Sequence, residues 1–434
     1  MRIKLDRLDR YITDNSKEIE KGDLFLKTWQ NAAFSEEAKK AGADIVTPAQ
    51  IYENLEIDRL KIIGITGTNG KTTTAAAIYS ILLDLGYKTA LQGTRGFFIN
   101  DAKAEEKSLT TPPILQNLYN MNRALEEGCE FFVMEVSSHA IAQKRVESID
   151  FTLKILTNIT QDHLDFHKSL ENYIYTKNSF FADESLKLIN KDEEKAKFNI
   201  KNAMTYGVEN PATFQVMAYT MKEGLGAVIR FGSEIADFHS QITGLFNLYN
   251  LTAAIAAAKI VTNKELKEIC ETVENFGGVS GRMEVVCGEP LVIVDFAHTP
   301  DGMQKVFEAF PGKDIAVVFG AGGDRDRGKR PKMGAVANRY AKKIYLTSDN
   351  PRNEKPEKII EEIYVGINDK EKVKILPDRK EAIKRAVKEL KKEEILLILG
   401  KGDEEYQIVG DRKIPFDDRR VIREIFMHQD KNGF

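Results

Sequence analysis

The chain has 434 residues, of which 42% are hydrophobic and 30% are charged, and its formal net charge is −3. This length and composition predict a soluble globular protein of two or three domains, because a single hydrophobic core stops growing well below this size. The near balance of 63 basic and 66 acidic residues argues against nucleic acid as a partner, so any anionic ligand must be held by a local cluster of charge.

Two further features of the composition concern the cellular compartment. The sequence has no apolar run long enough to span a membrane and no apolar segment close to Met1, which predicts a cytoplasmic protein without a membrane partner. The three cysteines, Cys129, Cys270 and Cys287, are scattered and lack metal-ligand spacing, so we expect them to be reduced and buried.

Residues 1–58 predict a small opening domain. A turn leads into a short strand at Leu24–Leu26, Ser35–Ala41 has a helical pattern, and Asp44–Val46 predicts another short strand. A unit of this size buries little apolar surface by itself, so we expect it to dock on the residues that follow.

The strongest signal in the chain is a phosphate-binding turn. The apolar strand Leu60–Thr66 runs into the turn Gly67–Gly70, and the helix Lys71–Leu85 follows directly. This order places backbone N–H groups and a helix N-terminus around one point, where an anion can bind. Lys71 can reach the β- and γ-phosphates of a nucleotide, and the Thr72 hydroxyl can coordinate the accompanying Mg²⁺. A chance glycine-rich turn is the alternative, but the flanking strand and helix favour binding of a nucleoside triphosphate.

This turn opens a domain that we place at residues 59–278, where predicted strands and helices alternate as in a doubly wound α/β fold. The apolar run Glu130–Met134 predicts a buried parallel strand that leads to Glu135, and Lys154–Thr157 leads in the same way to Asn158. Ligands of open α/β sheets bind outside the carboxyl ends of the strands, so both side chains should lie beside the phosphate-binding turn. A strand-end glutamate is often merely solvated, but this position favours a Mg²⁺ role for Glu135.

The segment after Asn158 is dense in groups that bind metals. His163 and His167 are four residues apart, a spacing that on a helix can bind zinc. A third ligand is not specified, however, and the neighbouring phosphate site favours a hard cation with one imidazole at most. From the residues alone, Lys177 is predicted to be an ordinary surface lysine.

The remaining elements indicate a second α/β alternation. Residues 212–243 predict short β-like pieces, an alanine-rich helix is predicted over Leu251–Ile260, and Gly277–Gly281 is the clearest linker signal. We place a C-terminal domain at residues 279–434. Its predicted strands are Leu291–Asp295, Ile315–Phe319, Ile344–Ser348 and Ile395–Leu399, and its predicted helices are Asp301–Phe310, Pro331–Ala341, Pro356–Val365, Arg379–Leu390 and Asp418–Met427.

Two strands of this domain are followed by charged turns. The basic turn Gly322–Lys332 is, on its residues, either a solvated loop or a nucleic-acid patch, and its lack of interleaved aromatic residues gives stacking on bases no support. The turn Asp349–Arg352 follows the next strand. Neighbouring strand ends would bring Arg325 and Arg352 together, which forms a guanidinium pair suited to carboxylates.

Several separated motifs together resemble those of the Mur ligases, the ATP-dependent amide-forming synthetases of peptidoglycan precursors. They are Thr66–Thr74, Thr110–Pro112, Glu135–Arg145, Thr157–Lys177, Gly244–Asn250, Gly281–Glu284, Asp295–Asp301, Gly322–Pro331, Asp349–Arg352 and Gly400–Gln407. The resemblance covers nearly the whole chain from Leu60 on. It implies three α/β domains: a small N-terminal domain for the uridine-nucleotide substrate, a central P-loop ATPase domain, and a C-terminal Rossmann-like domain for an amino acid.

The resemblance also implies an activity. It is the addition of meso-2,6-diaminopimelate to UDP-N-acetylmuramoyl-L-alanyl-D-glutamate through an acyl phosphate, by a cytoplasmic monomer that uses ATP and two Mg²⁺ ions. Asp349–Arg352 reads Asp-Asn-Pro-Arg, the family's mark of a preference for diaminopimelate over lysine. This preference has a physical reason, since the extra carboxylate of diaminopimelate needs Arg352, whereas the ammonium group of lysine would be repelled by it.

Residue by residue, the resemblance implies roles in four groups. The ATP phosphates would be held by Gly67, Thr68, Asn69, Gly70, Lys71, Thr72 and Thr73, and the rest of the nucleotide by Asn247, Asn250, Arg282, Asp295 and His298. The metal ligands would be Thr72, Glu135, His163 and Lys177. Lys177 matches the lysine that becomes N6-carboxylysine in this family. The catalytic residues would be Lys71, Glu135, His163 and Lys177. The uridine-nucleotide peptide would be held by Ser16, Thr110, Thr111, Ser137, Gln143 and Arg145. Diaminopimelate would be held by Arg325, Asp349, Asn350, Pro351, Arg352, Gly400 and Glu404.

The chain departs from the family pattern at several positions. Ile65 stands where the general P-loop has its first glycine, Ser280 where proline is usual, Phe296 where tyrosine is usual, and Asp403 where histidine is common. The first domain is also short, and its Asp14–Lys17 stretch replaces the usual Asp-Ser-Arg.

Three other functions compete with this interpretation. A lysine-adding Mur ligase is disfavoured by Asp349–Arg352, and a folylpolyglutamate-type synthetase is disfavoured by Thr157–Lys177 and by Thr110 and Thr111. A nucleotide-dependent switch ATPase that forms no amide bond has no need for two carboxylate-binding arginines.

Overall fold

The computed structural model describes residues 1–106, 109–222 and 224–431, and it begins with a small sheet. The elements of this first part are β1 (Arg2–Leu5), β2 (Arg10–Thr13), β3 (Leu24–Leu26), α1 (Ser35–Lys40), β4 (Asp44–Val46) and α2 (Pro48–Asn54). The four strands pair in chain order, β1 and β2 antiparallel and the rest parallel. Tyr52 and Ile57 share one apolar cluster with Leu118 and Phe132, which belong to a helix and a strand of the next part, and this confirms that the first part docks on the residues that follow.

The central part is built on an eleven-stranded mixed sheet. Its strands are β5 (Lys61–Thr66), β6 (Thr89–Gly93), β7 (Gly96–Ile99), β8 (Ala102–Glu105), β9 (Phe131–Glu135), β10 (Leu153–Leu156), β11 (Lys187–Asn190), β12 (Ala203–Gly207), β13 (Phe214–Thr220), β14 (Leu225–Phe231) and β15 (Glu234–Ser240). Its helices are α3 (Lys71–Asp84), α4 (Ile114–Glu126), α5 (Ser138–Ala142), α6 (Leu164–His167), α7 (Leu170–Ser179), α8 (Leu245–Thr262) and α9 (Leu266–Thr272).

The order of the strands explains where a ligand can bind. The sheet runs β15-β14-β13-β12-β11-β10-β5-β9-β6-β7-β8, and the strands from β13 to β6 in this order are parallel. Antiparallel strands extend the sheet at both edges. Because β5 lies between β10 and β9, the residues that follow these three strands meet at one edge, where ligands of parallel sheets bind.

Helix α8 differs from its prediction. We expected it to begin at Leu251, but it begins at Leu245 after Gly244, whose φ is +96°, so Asn247 and Asn250 lie on the helix. Asparagine is a weak helix former, and burial in the core overrides this local preference. The helix is apolar enough and long enough to cross a membrane by composition alone, yet two thirds of its residues are buried inside the protein, as in a core helix.

The C-terminal part is built on a six-stranded sheet in the order β16-β17-β21-β18-β19-β20, parallel except for β16. Its strands are β16 (Glu284–Cys287), β17 (Val292–Asp295), β18 (Ile315–Phe319), β19 (Lys343–Leu346), β20 (Val373–Ile375) and β21 (Ile395–Leu399), followed by the hairpin β22 (Tyr406–Val409) and β23 (Arg412–Pro415). Its helices are α10 (Pro300–Glu308), α11 (Lys329–Tyr340), α12 (Pro356–Tyr364), α13 (Arg379–Lys388) and α14 (Asp418–Lys431).

The predicted α/β fold is confirmed, with parallel strands in the middle of the central sheet and antiparallel strands at its edges. The three larger sheets fall inside residues 1–58, 59–278 and 279–434, while the boundaries of the domains stay predictions. The cysteines are free, and Cys129 and Cys270 are buried as expected; Cys287 is only partly buried, because it ends the edge strand β16.

A buried ion pair holds the C-terminal helices to their sheet and gives a stability prediction. Both Arg379 and Asp418 have fully buried side chains, joined by hydrogen bonds of 2.8 and 2.7 Å. Replacing Asp418 with alanine leaves a buried guanidinium without its counter-charge, and we expect the free energy of unfolding of this part to fall by about 3–5 kcal/mol.

Urea denaturation followed by circular dichroism measures this change. Asp314→Ala is the matched control, because the pair of Asp314 with Lys342 is solvent-exposed and its loss should cost less than about 1 kcal/mol. Equal effects of the two substitutions would contradict the prediction.

Candidate active site

The phosphate-binding turn has a backbone that only glycine adopts easily. Gly67 and Gly70 have φ values of +154° and +86°, and a Cβ atom on them would lie 1.8 Å from Thr157 Oγ1 and 2.3 Å from Asn250 Oδ1. Lys71 Nζ lies across the turn and donates to the carbonyl oxygens of Gly67 and Thr68, at 2.8 and 2.9 Å. The turn is therefore closely surrounded by side chains, and Lys71 lines the cavity beside it.

Oxygen ligands for a hard cation lie beside this turn. Thr72 Oγ1 donates to Glu135 Oε2 at 2.9 Å, and the other carboxylate oxygen of Glu135 accepts from the backbone N–H of Thr94 at 2.9 Å. Glu135 is almost fully buried. A hydroxyl and a carboxylate next to a phosphate site are the donor set that Mg²⁺ prefers, so the residues present fit this ion.

His163 stands on the same side of the site. It precedes α6 with a left-handed backbone, φ +51°, and its Nε2 lies 3.3 Å from Asp162 Oδ2. Burial lowers the pKa of His163 to about 3, although Asp162 opposes this shift. The imidazole is therefore neutral at physiological pH, as a metal ligand must be.

Lys177 is buried, so the prediction of a surface lysine was wrong. Helix α7 turns it towards the phosphate-binding turn, where its Nζ donates to Gly67 O at 2.8 Å and lies 4.9 Å above the ring of Tyr173. Burial and the nearby charge of Lys71 hold the pKa of Lys177 well below its ordinary value. Such a shift favours the neutral form of the amine, which is the nucleophilic form.

The zinc alternative gains no support from this geometry. His167 Nε2 is hydrogen-bonded to Ser138 Oγ at 2.9 Å, and the ring of His139 stands between those of His163 and His167. In the part of the chain that the structure describes, no three His, Cys, Asp or Glu side chains are placed to hold one metal ion.

The residues predicted to hold the rest of the nucleotide come from two sheets. Asn250 accepts from Thr74 and donates to Asn247, while Arg282 lies 4.2 Å from the ring of Phe296. Asp295 accepts from two backbone N–H groups, and His298 bonds to its own loop. Of the predicted set, Asn250, Arg282, Asp295 and His298 line the cavity and Asn247 supports Asn250 from behind.

The predicted cradle for the uridine-nucleotide peptide is only partly assembled at the cavity. Thr111 accepts from Ser137 N and its own carbonyl accepts from Arg145, which also donates to Gln143. These four residues form one hydrogen-bonded group, whereas Thr110 lines the cavity. Ser16 lies apart in the first sheet region and donates to Glu37.

Most residues of the predicted amino-acid pocket line the same cavity. Arg325, Asp349, Asn350, Arg352, Gly400 and Glu404 line it, and Pro351 does not. Arg352 has a left-handed backbone, φ +49°, and donates from Nη1 to Gly323 O at 2.8 Å; Asn350 donates to Glu404 Oε2 at 2.8 Å. A Cβ atom on Gly400 would lie 2.5 Å from Asp349 Oδ2, so only glycine fits there.

Sequence reasoning missed four residues of this site. Lys401 is fully buried and donates to Glu404, Asn350 and the Tyr406 carbonyl. Arg330 donates to Glu354 and to Gly322 O, which fixes the turn that carries Arg325. Lys329 lines the cavity, as does Thr94. The motifs Gly322–Pro331 and Gly400–Gln407 contain three of them, whereas no motif marks Thr94.

Asp403 faces the central part of the chain. One of its carboxylate oxygens lies 3.8 Å from Arg95 Nε, in the turn between β6 and β7. Arg95 also donates to Ser280 O at 3.4 Å, so two of the positions that depart from the family pattern meet one arginine.

A single cavity of about 670 Å³ joins these groups. The phosphate-binding turn, Glu135, Arg325 and Arg352 all line this cavity. Direct contacts close the cleft, since Asn69 Nδ2 donates to Asp301 Oδ2 at 2.9 Å and Lys332 donates to Gln161 at 3.1 Å.

A triphosphate site, oxygen ligands for a hard cation and a guanidinium pair that face one cleft define an ATP-dependent enzyme of the acid–amine ligase class. Two family models agree with this class: the Mur ligase middle domain matches residues 65–258, and the Mur ligase glutamate ligase domain matches residues 281–402. The chain belongs to the Mur ligase family.

Several individual relatives of the chain share the same name. The UDP-N-acetylmuramoyl-L-alanyl-D-glutamate–2,6-diaminopimelate ligase of Wolinella succinogenes is 58% identical over 413 residues, with 95% of each chain covered. The protein of the same name from Helicobacter pylori is 48% identical, with 96% of each chain covered. A solved structure of a ligase with this name covers 96% of the chain and 95% of its own, at 29% identity and a TM-score of 0.68. A folylpolyglutamate synthase of Mycobacterium tuberculosis, at 14% identity, covers 81% of this chain and 92% of its own with a TM-score of 0.67, and shares the fold alone.

Proposed function

We propose that this protein is an ATP-dependent ligase that adds meso-2,6-diaminopimelate to UDP-N-acetylmuramoyl-L-alanyl-D-glutamate. The observation that carries the proposal is the shared cavity, in which Lys71 and Glu135 face Arg325 and Arg352. Relatives of that name match nearly the full chain. The two arginines and Asp349–Arg352 favour an amino acid with a second carboxylate over lysine.

The reaction proceeds in two steps. The side-chain carboxylate of the D-glutamyl residue attacks the γ-phosphorus of ATP, and the bond to ADP breaks to give an acyl phosphate. The amine of diaminopimelate then attacks the acyl carbon, and the bond to phosphate breaks as the amide forms and a proton leaves the nitrogen. Lys71 neutralises charge on the transferring phosphoryl group, and Arg325 and Arg352 hold the amine donor in position.

The cation sites use residues already gathered at the turn. Thr72, Glu135 and His163 would hold one Mg²⁺ and a carboxylated Lys177 a second, and bound Mg²⁺ supplies charge neutralisation on the phosphates. The amine of Lys177 in its deprotonated form attacks CO₂, and loss of one proton leaves a carbamate with a negative charge. The carbamate oxygens are ligands of the kind that Mg²⁺ prefers.

The other parts of the substrates are bound by residues from all three domains. Asn250, Arg282, Asp295 and His298 surround the nucleotide, and Thr110, with the group around Thr111, holds the uridine-nucleotide peptide; Ser16 would join it from the first domain. Residues 1–58, 59–278 and 279–434 act as the three domains of a cytoplasmic monomer. The contacts of Asn69 with Asp301 support closure of the last domain on the central one.

One assay tests the proposal. Release of ADP and phosphate is measured with UDP-N-acetylmuramoyl-L-alanyl-D-glutamate and each of meso-diaminopimelate, L-lysine and L-glutamate. We expect full turnover with diaminopimelate alone. Equal ADP release without any amino acid would indicate a switch ATPase, and preferred turnover with lysine would indicate the lysine-adding enzyme.

A further inference from the structure

Lys329 is a buried lysine of the cleft that the proposed reaction does not yet use. It is the first residue of α11 and is only 8% exposed. Lys71, Lys177 and Lys401 each donate to carbonyl or carboxylate oxygens at 2.6–2.9 Å. Within the described residues, the ammonium group of Lys329 has no hydrogen bond and no ion pair of this kind.

The charges around Lys329 place it at the middle of the cavity. The carboxylates that act on it are those of Asp162, beside the metal side of the site, and of Asp349 and Asp326, on the amino-acid side. These carboxylates raise the pKa of Lys329, whereas the positive charge of Arg325 lowers it. Lys329 thus lies between the half of the cavity that faces the phosphates and the half that faces the amino acid.

A cation in this position points to an anionic ligand. An ammonium group that lines a cavity and has no hydrogen-bond partner in the protein is available to an anion bound there. Burial lowers the pKa of Lys329, although the carboxylates of Asp162, Asp349 and Asp326 oppose this shift. The N-terminus of the twelve-residue helix α11 adds a positive dipole at the same point.

We propose that Lys329 is a catalytic residue of the second step, where it binds the oxyanion that forms when the amine attacks the acyl phosphate. This inference rests on the proposed function. As the nitrogen bonds to the acyl carbon, the carbonyl electron pair moves onto oxygen; its return expels phosphate, which takes the proton from nitrogen. Lys71 and the metal side serve the first step, whereas Lys329 lies on the domain that presents the amine.

The two steps can be measured separately. Positional isotope exchange in oxygen-18-labelled ATP, with the uridine-nucleotide peptide but without amino acid, reports acyl phosphate formation. We expect Lys329→Met to keep this exchange within about threefold of wild type and to lower kcat for amide formation by about 10²–10³-fold, the usual effect of losing an oxyanion donor. Lys329→Arg should recover part of kcat, because the charge is kept.

Arg339→Met is the matched control, since Arg339 lies exposed on the same helix, and it should change neither rate. ADP affinity and the thermal midpoint of each variant verify that it is folded. Equal loss of exchange and of amide formation would assign Lys329 to the phosphates of ATP and overturn the proposal, as would an unchanged kcat. Absence of diaminopimelate-dependent turnover in the wild type would instead overturn the proposed function.

Discussion

Replacing Lys177 with alanine should reduce ligase activity by at least about 10³-fold and leave the fold intact. Lys177 is 1% exposed, and its Nζ donates to the Gly67 carbonyl and lies over the ring of Tyr173. A carbamate would place two oxygen ligands at this point instead. Steady-state release of phosphate in the presence of all three substrates measures the loss.

Chemical rescue distinguishes the carbamate from a structural role. Formate or acetate fits the space that the truncated side chain leaves and supplies the missing carboxylate, so the alanine variant should regain part of its activity. Lys168→Ala is the matched control, because Lys168 is an exposed lysine close to the start of the same helix, and its loss should have no effect. A folded alanine variant that no short acid rescues would count against the carbamate but not against the ligase.

Removal of the Arg352 guanidinium should raise the KM for meso-diaminopimelate by about 10–100-fold, the range expected for one lost charge-assisted hydrogen-bonding pair. The KM for ATP should stay within about twofold, since Arg352 follows β19 of the C-terminal sheet whereas the phosphate-binding turn follows β5 of the central sheet. Arg352→Lys is the informative variant because it keeps the charge and tolerates the left-handed backbone about as well as arginine.

The preference between amino acids gives a second measurement. If Arg352 holds the extra carboxylate, Arg352→Ala should lower the preference for diaminopimelate, measured as kcat/KM for diaminopimelate divided by kcat/KM for L-lysine. Arg412→Ala is the control, because Arg412 is exposed on the hairpin strand β23 next to this loop. An unchanged ratio would show that the discrimination lies elsewhere in the pocket.

Most regular elements of the second half of the chain could be predicted from the sequence. Strands Ile315–Phe319 and Ile395–Leu399 agree with their prediction at both ends, because continuous apolar runs mark buried parallel strands. The prediction was incomplete between Gly86 and Cys129, where the structure has β6–β8 and α4. The short strands there have mixed polarity, and their pairing at the edge of the sheet depends on contacts that no local pattern contains.

The site also has features that could be predicted from the sequence and features that could not. The phosphate-binding turn was predictable because its function requires glycines, a lysine and a threonine at fixed spacing, and these conditions are local. The buried state of Lys177 was not predictable, since the burial comes from the packing of α7 against a turn more than a hundred residues earlier. For the same reason Lys329 could not be told from the exposed Lys332 three positions later.

By itself, then, the sequence determined that the chain binds a triphosphate, that the buried strands around the phosphate-binding turn are parallel and that two arginines follow neighbouring strands. The tertiary structure decided which charged groups face the same cavity and which of them lack a partner. The physical reason is the range of the interactions involved. Backbone conformation and strand burial follow from adjacent residues, whereas the desolvation of a charge depends on every element packed around it.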